Sequence, residues 1–132
     1  MTRLASCSCG QLNVTCEGEP MRISVCHCFD CQRRTGSVFG TQARFPRDQL
    51  NIQGRATRYS RNADSGNIVT FSFCPVCGST VYWEFSGMPD VVAVAVGAFA
   101  DPSFPEPLHS VYERRRHSWA MTAADLPLQH VD

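Results

Sequence analysis

The stretch "CPVCG", Cys74 to Gly78, carries the strongest structural signal in this sequence. Two cysteines separated by two residues can wrap a metal ion in a tight turn whose backbone amides point at the sulfurs. The glycine that follows relieves the geometry of that turn. The stretch is therefore half of a zinc knuckle, and a closed tetrahedral site needs two further ligands from elsewhere in the chain.

The stretch "CSCG", Cys7 to Gly10, offers those two ligands. Residues two apart on an extended strand face the same side, so Cys7 and Cys9 converge while Ser8 points away. With Cys74 and Cys77 they form a four-thiolate set that closes a structural zinc site. Such a site would join the N-terminal segment to the middle of the chain and contribute directly to folding stability.

The stretch "VCHCFDC", Val25 to Cys31, holds a second group of three cysteines. Cys26 and Cys28 face one way if a strand runs through them. Cys28 and Cys31, three residues apart, converge on a helical turn. All three can reach one ion while His27 points to the other side. Three protein ligands leave one coordination position for water or a substrate, which is the pattern of catalytic zinc.

Spacing alone leaves the partition of the cysteines open. A C-x2-C pair with a second C-x2-C pair also makes an ordinary zinc ribbon, and that commoner arrangement is slightly preferred on spacing. It would leave Cys7, Cys9 and Cys26 without a ligand role. The ribbon ligands would be Cys28, Cys31, Cys74 and Cys77.

Length and charge place the chain among small globular domains. Its 132 residues, 43% of them hydrophobic, fit one domain spanning 1–132. Lys plus Arg balance Asp plus Glu at 12 each, so no overall field favours nucleic acid or an anionic membrane. The basic run "RRRH", Arg114 to His117, is interpreted as part of a solvated strand, whose alternation leaves few arginines on one face. We expect no nucleic-acid partner and, since no apolar run approaches ~20 residues, no membrane span.

The cysteine content indicates metal binding in a reducing compartment. Eight cysteines are many for a chain whose N-terminus, "MTRLASCSCG", lacks the apolar region of a signal peptide. Disulfides within the clusters would close very small, strained loops. We therefore predict a cytoplasmic protein whose clustered thiols bind metal.

Alternating apolar residues predict a mainly β chain with few short helical turns. Leu12, Val14 and Cys16 share one strand face, which makes Cys16 a buried apolar thiol. Met21, Ile23 and Val25 share another. The predicted strands are Gln11–Gly18, Met21–His27, Ser37–Phe45, Asn67–Phe73, Thr80–Phe85, Asp90–Val96 and His109–His117. The remaining predictions are a helical turn at Phe29–Gly36, a loop at Asp101–Pro107 and a terminal turn or short helix at Ala123–Gln129.

Some residues near the clusters have alternative roles. His27 is expected to point into the fold and hydrogen-bond a backbone carbonyl. Arg33 and Arg34 either bind a substrate carboxylate or lie on a solvated helical face. The aromatic residues belong mostly to the core. Trp83 and Phe39, near the metal-bearing turns, are the candidate pocket walls.

Five stretches together resemble the glutathione-dependent formaldehyde-activating enzyme family, whose domain is shared with centromere protein V. The likeness extends from Ser6 to Pro127, and the order of its three cysteine blocks is specific. The stretches are "SCSCGQLNVTCEG", "CHCFDCQRRTGSVF", "FCPVCGSTVYW", "DVVAVAVGAFADP" and "DLP".

The resemblance implies a fold of small stacked β-sheets, tent-like and stabilised by zinc. It implies two Zn²⁺ per chain, and it overrides the ribbon preference. The implied structural ligands are Cys7, Cys9, Cys74 and Cys77. The implied catalytic ligands are Cys26, Cys28 and Cys31.

The family's activity is the condensation of glutathione with formaldehyde to S-hydroxymethylglutathione, classed as a carbon–sulfur lyase for the reverse direction. The resemblance therefore implies a small-molecule thiol such as glutathione, and an aldehyde, as partners. A non-catalytic zinc-binding interaction module, with its second site empty or capped, is the alternative.

Overall fold

The computed structural model describes residues 1–120, and the predicted terminal turn and the "DLP" stretch lie outside them. This part of the chain is mainly β, with a single α-helix and short 3-10 turns. The first five strands are β1 (Thr2–Ser6), β2 (Asn13–Glu17), β3 (Arg22–Cys26), β4 (Gly40–Pro46) and β5 (Leu50–Gln53). The next five are β6 (Thr57–Asn62), β7 (Ile68–Phe73), β8 (Thr80–Phe85), β9 (Met88–Ala95) and β10 (His109–Val111). The helix is α1 (Phe29–Thr35), and the 3-10 turns are Arg47–Gln49, Val96–Phe99 and Glu113–Arg115.

The strands form two stacked sheets, in agreement with the stacked β-sheets that the family resemblance implies. The smaller sheet has the order β1-β2-β5, and the larger one has the order β10-β3-β4-β9-β8-β7-β6. Neighbouring strands are antiparallel except β10, which runs parallel to β3. The small sheet packs on one face of the large sheet. The opposite face of the large sheet is not covered by the small sheet.

The main core lies between the two sheets. Leu12, Val14 and Cys16 of β2 are each 0% exposed, which confirms the face predicted from their alternation. Phe45 of β4 and Val94 of β9 are equally buried and belong to the same cluster. Burying Leu or Val side chains of this size contributes about 1.5–3 kcal/mol each.

A second apolar cluster covers the opposite face of the large sheet. Phe71, Trp83 and Ala93 occupy one row across β7, β8 and β9, and Val69 completes the buried set. β3, which lies inside the large sheet between β10 and β4, is buried at four consecutive positions, Ile23 to Cys26. Simple alternation therefore fails there, and Met21, predicted to share the buried face, lies before the strand and is 62% exposed.

The segment from His109 onward differs from its prediction. A strand was expected as far as His117, and it ends at Val111. Tyr112 then takes a left-handed conformation with φ 55°, and a 3-10 turn follows. The prediction was wrong because a residue with positive φ cannot continue a strand. The arginines of "RRRH" therefore do not alternate along a strand.

Candidate metal centres and pocket

The first cysteine cluster joins the two sheets. Cys7 follows β1 of the small sheet, and Cys74 follows β7 of the large sheet. The Sγ atoms of this cluster all lie within 4.8 Å of one another, a spacing that suits one metal ion. Its members are Cys7, Cys9, Cys74 and Cys77.

Backbone and side-chain donors point at these sulfurs. The amides of Leu12 and Val76 donate to Sγ of Cys7 and Cys74 at 3.3 and 3.4 Å. The backbone amide of Ser79 lowers the pKa of the Cys77 thiol to about 5. N–H donors of this kind favour thiolates, so the loop geometry favours the charged form that binds metal.

Gln11 is a side-chain donor to this cluster that the sequence did not reveal. Its Nε2 donates to Sγ of Cys74 at 2.9 Å and to the carbonyl of Arg55 at 2.8 Å. Its Oε1 accepts the amide of Arg55 at 2.9 Å. The amide side chain thus ties the loop before β6 to the cluster.

Replacement of Gln11 by leucine is expected to lower the free energy of unfolding by about 0.5–1.5 kcal/mol for each of the hydrogen bonds that its side chain makes to Cys74 and to the backbone of Arg55. The number of bound zinc ions should not change, since Gln11 is not a ligand. Chemical denaturation with metal analysis measures both, and Gln53→Leu, at an exposed position of β5, is a matched polar-to-apolar control. Unchanged stability would contradict the role assigned to these hydrogen bonds.

The second cluster forms where β3 passes into α1. Cys26 ends the strand, Cys28 is the N-cap of the helix, and Cys31 lies in its first turn. Their Sγ atoms lie within 4.8 Å of one another. The amide of Cys31 donates to Sγ of Cys28 at 3.3 Å, and Gly36 ends the helix in a left-handed conformation. The predicted convergence on a helical turn is the arrangement that the fold assembles.

The second cluster favours a cation. Hydrogen bonds from the thiols of Cys26 and Cys31 lower the pKa of Cys28 to about 2. The same contact with Cys28 raises the pKa of Cys26. One thiolate is therefore stabilised at the expense of its neighbours, and three thiolates together require added positive charge.

The fold does not group the cysteines as a zinc ribbon. Within residues 1–120, Cys28 and Cys31 cluster with Cys26, while Cys74 and Cys77 cluster with the N-terminal cysteines. Cys16 belongs to neither group and is buried in the core. Burial raises the pKa of its thiol to about 12, so it stays protonated.

His27 lies outside the cluster, as its strand parity indicated. It is 1% exposed, and its ring lies 6.1 Å from that of Phe39. The expectation of a bond to a backbone carbonyl was wrong: within residues 1–120 its ring makes no hydrogen bond, and Nδ1 is buried without a partner. Burial is the main cause that lowers the pKa of His27, and the positive charge of Arg116 lowers it further, so the ring is neutral.

A pocket of about 220 Å³ opens beside the second cluster, on the face of the large sheet away from the small sheet. Trp83 and Phe71 are among its apolar lining residues, and Trp83 donates from Nε1 to Oε1 of Gln42 at 3.0 Å. Trp83 is thus one of the two predicted wall residues, whereas Phe39 borders a different hollow. Tyr112, with its left-handed backbone, also lines the pocket.

Arg34 brings a positive charge to the cysteine end of this pocket. Its guanidinium lies 4.3 Å from the centre of the Trp83 ring. Gly40 makes the room, since a Cβ there would lie 2.8 Å from Nη2 of Arg34 and 3.5 Å from Cβ of Cys31. Arg33, the other predicted arginine, is exposed and borders only an adjoining hollow. The structure thus separates two residues that the sequence left equivalent.

The comparisons with known proteins agree with this arrangement. The family described as glutathione-dependent formaldehyde-activating enzyme matches residues 2–115. The chain belongs to this family. A crystal structure of a Rhodobacter sphaeroides protein resembles the fold, with a TM-score of 0.60 and 20% identity over 81% of this chain and 98% of that chain. At that identity the likeness concerns the fold alone. No curated protein matches the chain at a significant level.

The glutathione-dependent formaldehyde-activating fold offers donor sets that fit zinc. Both sets consist of soft thiolate ligands, which suit zinc, and the cluster with three members faces a pocket.

No helix within residues 1–120 is long and apolar enough to cross a bilayer.

Sequence reasoning missed the arginines that this fold brings to the pocket from β4 and β6. Arg44 and Arg61 come from different strands, and each was indistinguishable from a solvated surface residue. One signal was available. Gln42 and Arg44 alternate with the apolar Ala43 and Phe45 along β4, which places both polar side chains on one face.

Proposed function

We propose that this protein is a zinc-dependent carbon–sulfur lyase that adds or removes a small carbon group at a thiol such as glutathione. The observation that carries the proposal is a cluster of three cysteines that opens onto a pocket. A purely structural centre is already available in the separate cluster of four cysteines. The thiols require a reducing compartment, so we place the protein in the cytoplasm.

We assign two Zn²⁺ per chain to the two clusters. The closed set Cys7, Cys9, Cys74 and Cys77 would hold the structural ion. The open set Cys26, Cys28 and Cys31 would hold the catalytic ion. When bound there, zinc supplies a binding position at which a substrate thiol is held as its thiolate.

The residues around the open set have three tasks. Arg34 offsets the negative charge that three cysteine thiolates bring to the pocket. Trp83 and Phe71 keep one wall of the pocket apolar and exclude water from it. Tyr112, whose hydroxyl makes no hydrogen bond within residues 1–120, donates to the oxygen of the aldehyde.

In the forward direction the substrate sulfur forms a bond to the aldehyde carbon. The π electrons of the C=O bond move to oxygen, which takes a proton and becomes the hydroxyl of the hydroxymethyl thioether. The reverse breaks the same carbon–sulfur bond and releases the aldehyde. The contribution of the protein is mainly to hold the two reactants together, which can accelerate such a step greatly.

The proposed reaction is tested by exchange NMR with glutathione and ¹³C-formaldehyde. Protein loaded with zinc is expected to accelerate hydroxymethyl exchange by roughly a hundredfold or more. Metal analysis should find two zinc ions per chain. Protein that holds two zinc ions but neither binds glutathione nor accelerates exchange would overturn this proposal and favour the interaction module.

The part assigned to Tyr112 is tested by Tyr112→Phe, which removes only the hydroxyl. We expect a fall in kcat of roughly 10–100-fold, with an unchanged Kd for glutathione and two zinc ions retained. Tyr59→Phe, on the exposed strand β6, is the matched control. A variant with normal kcat would show that another donor serves the aldehyde oxygen.

A further inference from the structure

Arg44 lines the same pocket, away from the cysteine cluster. Its guanidinium lies 4.9 Å from the centre of the Phe85 ring. Within residues 1–120 the guanidinium makes no hydrogen bond and no ion pair, and its Nε is buried without an acceptor. The donors of this side chain are therefore not used by any group of the described part of the chain.

Stacking on Phe85 does not satisfy these donors. A cation–π contact uses the flat face of a guanidinium, whereas its five N–H donors point outward in its plane. Burying an N–H without an acceptor is unfavourable, and Nε of Arg44 has no acceptor within residues 1–120. Burial is the main cause that lowers the pKa of Arg44, and the positive charge of Arg22 lowers it further. Both effects make the charged form of Arg44 less favourable in the pocket.

The acidic side chains of the pocket are already engaged. Asp30 pairs with Arg61 at 3.1 Å, and Asp64 pairs with Arg115 at 2.8 Å. Neither is paired with Arg44. An anion that is not part of residues 1–120 would relieve the cost of holding this arginine in the pocket.

The sheet geometry gives the distance from that anion to the cysteines. Gly40, against Cys31, and Arg44 lie four residues apart on the same face of β4, which separates their Cα atoms by about 13 Å. Across the sheet, Arg44 is in register with Ala93, and Ala93 with Trp83. Two strand spacings of about 4.8 Å therefore separate the Cα atoms of Arg44 and Trp83. Gln42 lies between Gly40 and Arg44 on that face and accepts the Nε1–H of Trp83 at 3.0 Å, so a ligand that spans the pocket passes this pair of side chains.

We propose that Arg44 forms a carboxylate-binding subsite that selects thiols whose carboxylate lies up to about 13 Å, or about four extended residues, from their sulfur. This deepens the proposed function, on which the position of the sulfur rests. An extended peptide spans about 3.3–3.6 Å per residue, so a short peptide thiol fits the gap better than free cysteine. A guanidinium binds a carboxylate through two parallel hydrogen bonds, which supplies both affinity and direction.

The test is Arg44→Met, which keeps the apolar length over Phe85 and removes the charge. Calorimetric titration of the zinc-loaded protein uses glutathione, S-methylglutathione and glutathione diethyl ester. The wild type is expected to bind glutathione at least about tenfold more tightly than its diethyl ester, and to bind S-methylglutathione, which has no thiol for zinc, in a way that depends on Arg44. Arg44→Met should bind acid and ester alike, with a Kd for glutathione roughly 10–100-fold higher than that of the wild type. Arg58→Met, on the exposed strand β6, is the matched control and should retain the discrimination.

Thermal denaturation distinguishes binding from a structural role. Because Arg44 has no hydrogen bond and no ion pair within residues 1–120, its replacement by Met should leave the Tm unchanged or raise it. Arg44→Met that still binds glutathione more tightly than the ester would overturn the subsite, whether or not the variant loses stability. So would a wild type that binds neither acid. Arg44-dependent binding without formaldehyde exchange would support the subsite and overturn the lyase activity alone.

Discussion

Replacement of Cys74 by serine is expected to unfold the protein. Cys74 is fully buried, and its Sγ accepts hydrogen bonds from Gln11 and from two backbone amides of its own turn. Serine does not supply a thiolate, so the closed centre would lose a ligand that connects the two sheets. Structural zinc contributes about 10–16 kcal/mol in small domains, whereas a whole domain is stable by only about 5–15 kcal/mol. Circular dichroism and metal analysis should show no cooperative melting and less than one zinc ion at the closed centre.

Cys16→Ser is the matched control for Cys74→Ser. Cys16 is equally buried, and it undergoes the same chemical change without belonging to a cluster. Placing a hydroxyl in that apolar site should cost about 1–3 kcal/mol, with a cooperative transition and two bound zinc ions retained. If both variants melt at similar temperatures and keep two zinc ions, the closed centre does not stabilise the fold and its assignment is wrong.

The strands that sequence patterns predicted well are those packed against one core. β2 alternates because one face meets the core and the other meets solvent, and β8 occupies its predicted range, Thr80–Phe85. β6 was not predicted, since it is an edge strand whose residues are exposed at five of six positions. β1 and β5 were also missed as strands. An edge strand needs little apolar alternation, so its pairing partner is visible only in the fold.

The cysteine clusters were predictable as local groups, but their partition was not. Spacing identifies which neighbouring thiols converge, because parity and helical turns are local properties. It does not say whether Cys28 and Cys31 meet Cys26 or the distant pair at Cys74 and Cys77. That choice depends on how the sheets bring β1, β3 and β7 together. The same limit applies to the pocket, where arginines from separate segments line one cavity only after folding.

The two cysteine clusters lie at different places in the fold, so substitutions can separate their roles. The cluster of four cysteines bridges the small and large sheets, so its loss affects the packing between them. The cluster of three lies on the other face of the large sheet, within one local segment from β3 to α1. Losing a ligand there leaves the main core untouched. Substitutions in the cluster of four should therefore mainly lower stability, whereas substitutions in the cluster of three should mainly lower activity.

Cys28→Ser is expected to abolish activity while leaving the protein folded. Cys28 caps α1, accepting the amide of Cys31, and serine is among the best N-cap residues, so the helix start is preserved. The open set is left with Cys26 and Cys31, which is too few for a firmly held zinc ion. We expect one zinc ion per chain instead of two. The expected fall in kcat/KM for hydroxymethyl exchange is about a thousandfold or more, or roughly 4 kcal/mol of transition-state stabilisation.

Cys28→Ala separates loss of the ligand from loss of the cap. It removes both, so it should match Cys28→Ser in activity and zinc content while melting at a lower temperature, because a lost N-cap costs about 0.5–2 kcal/mol. Cys9→Ser, in the closed centre, should show the opposite pattern, with a large loss of stability. Global unfolding of Cys28→Ser would contradict the catalytic assignment, because it would show that the centre is not local. Full activity with two zinc ions would contradict it as well, because Cys28 would then not be a zinc ligand. A folded variant with one zinc ion and no exchange activity would connect the lost metal to the reaction, because the substitution leaves the core and Arg44 unchanged.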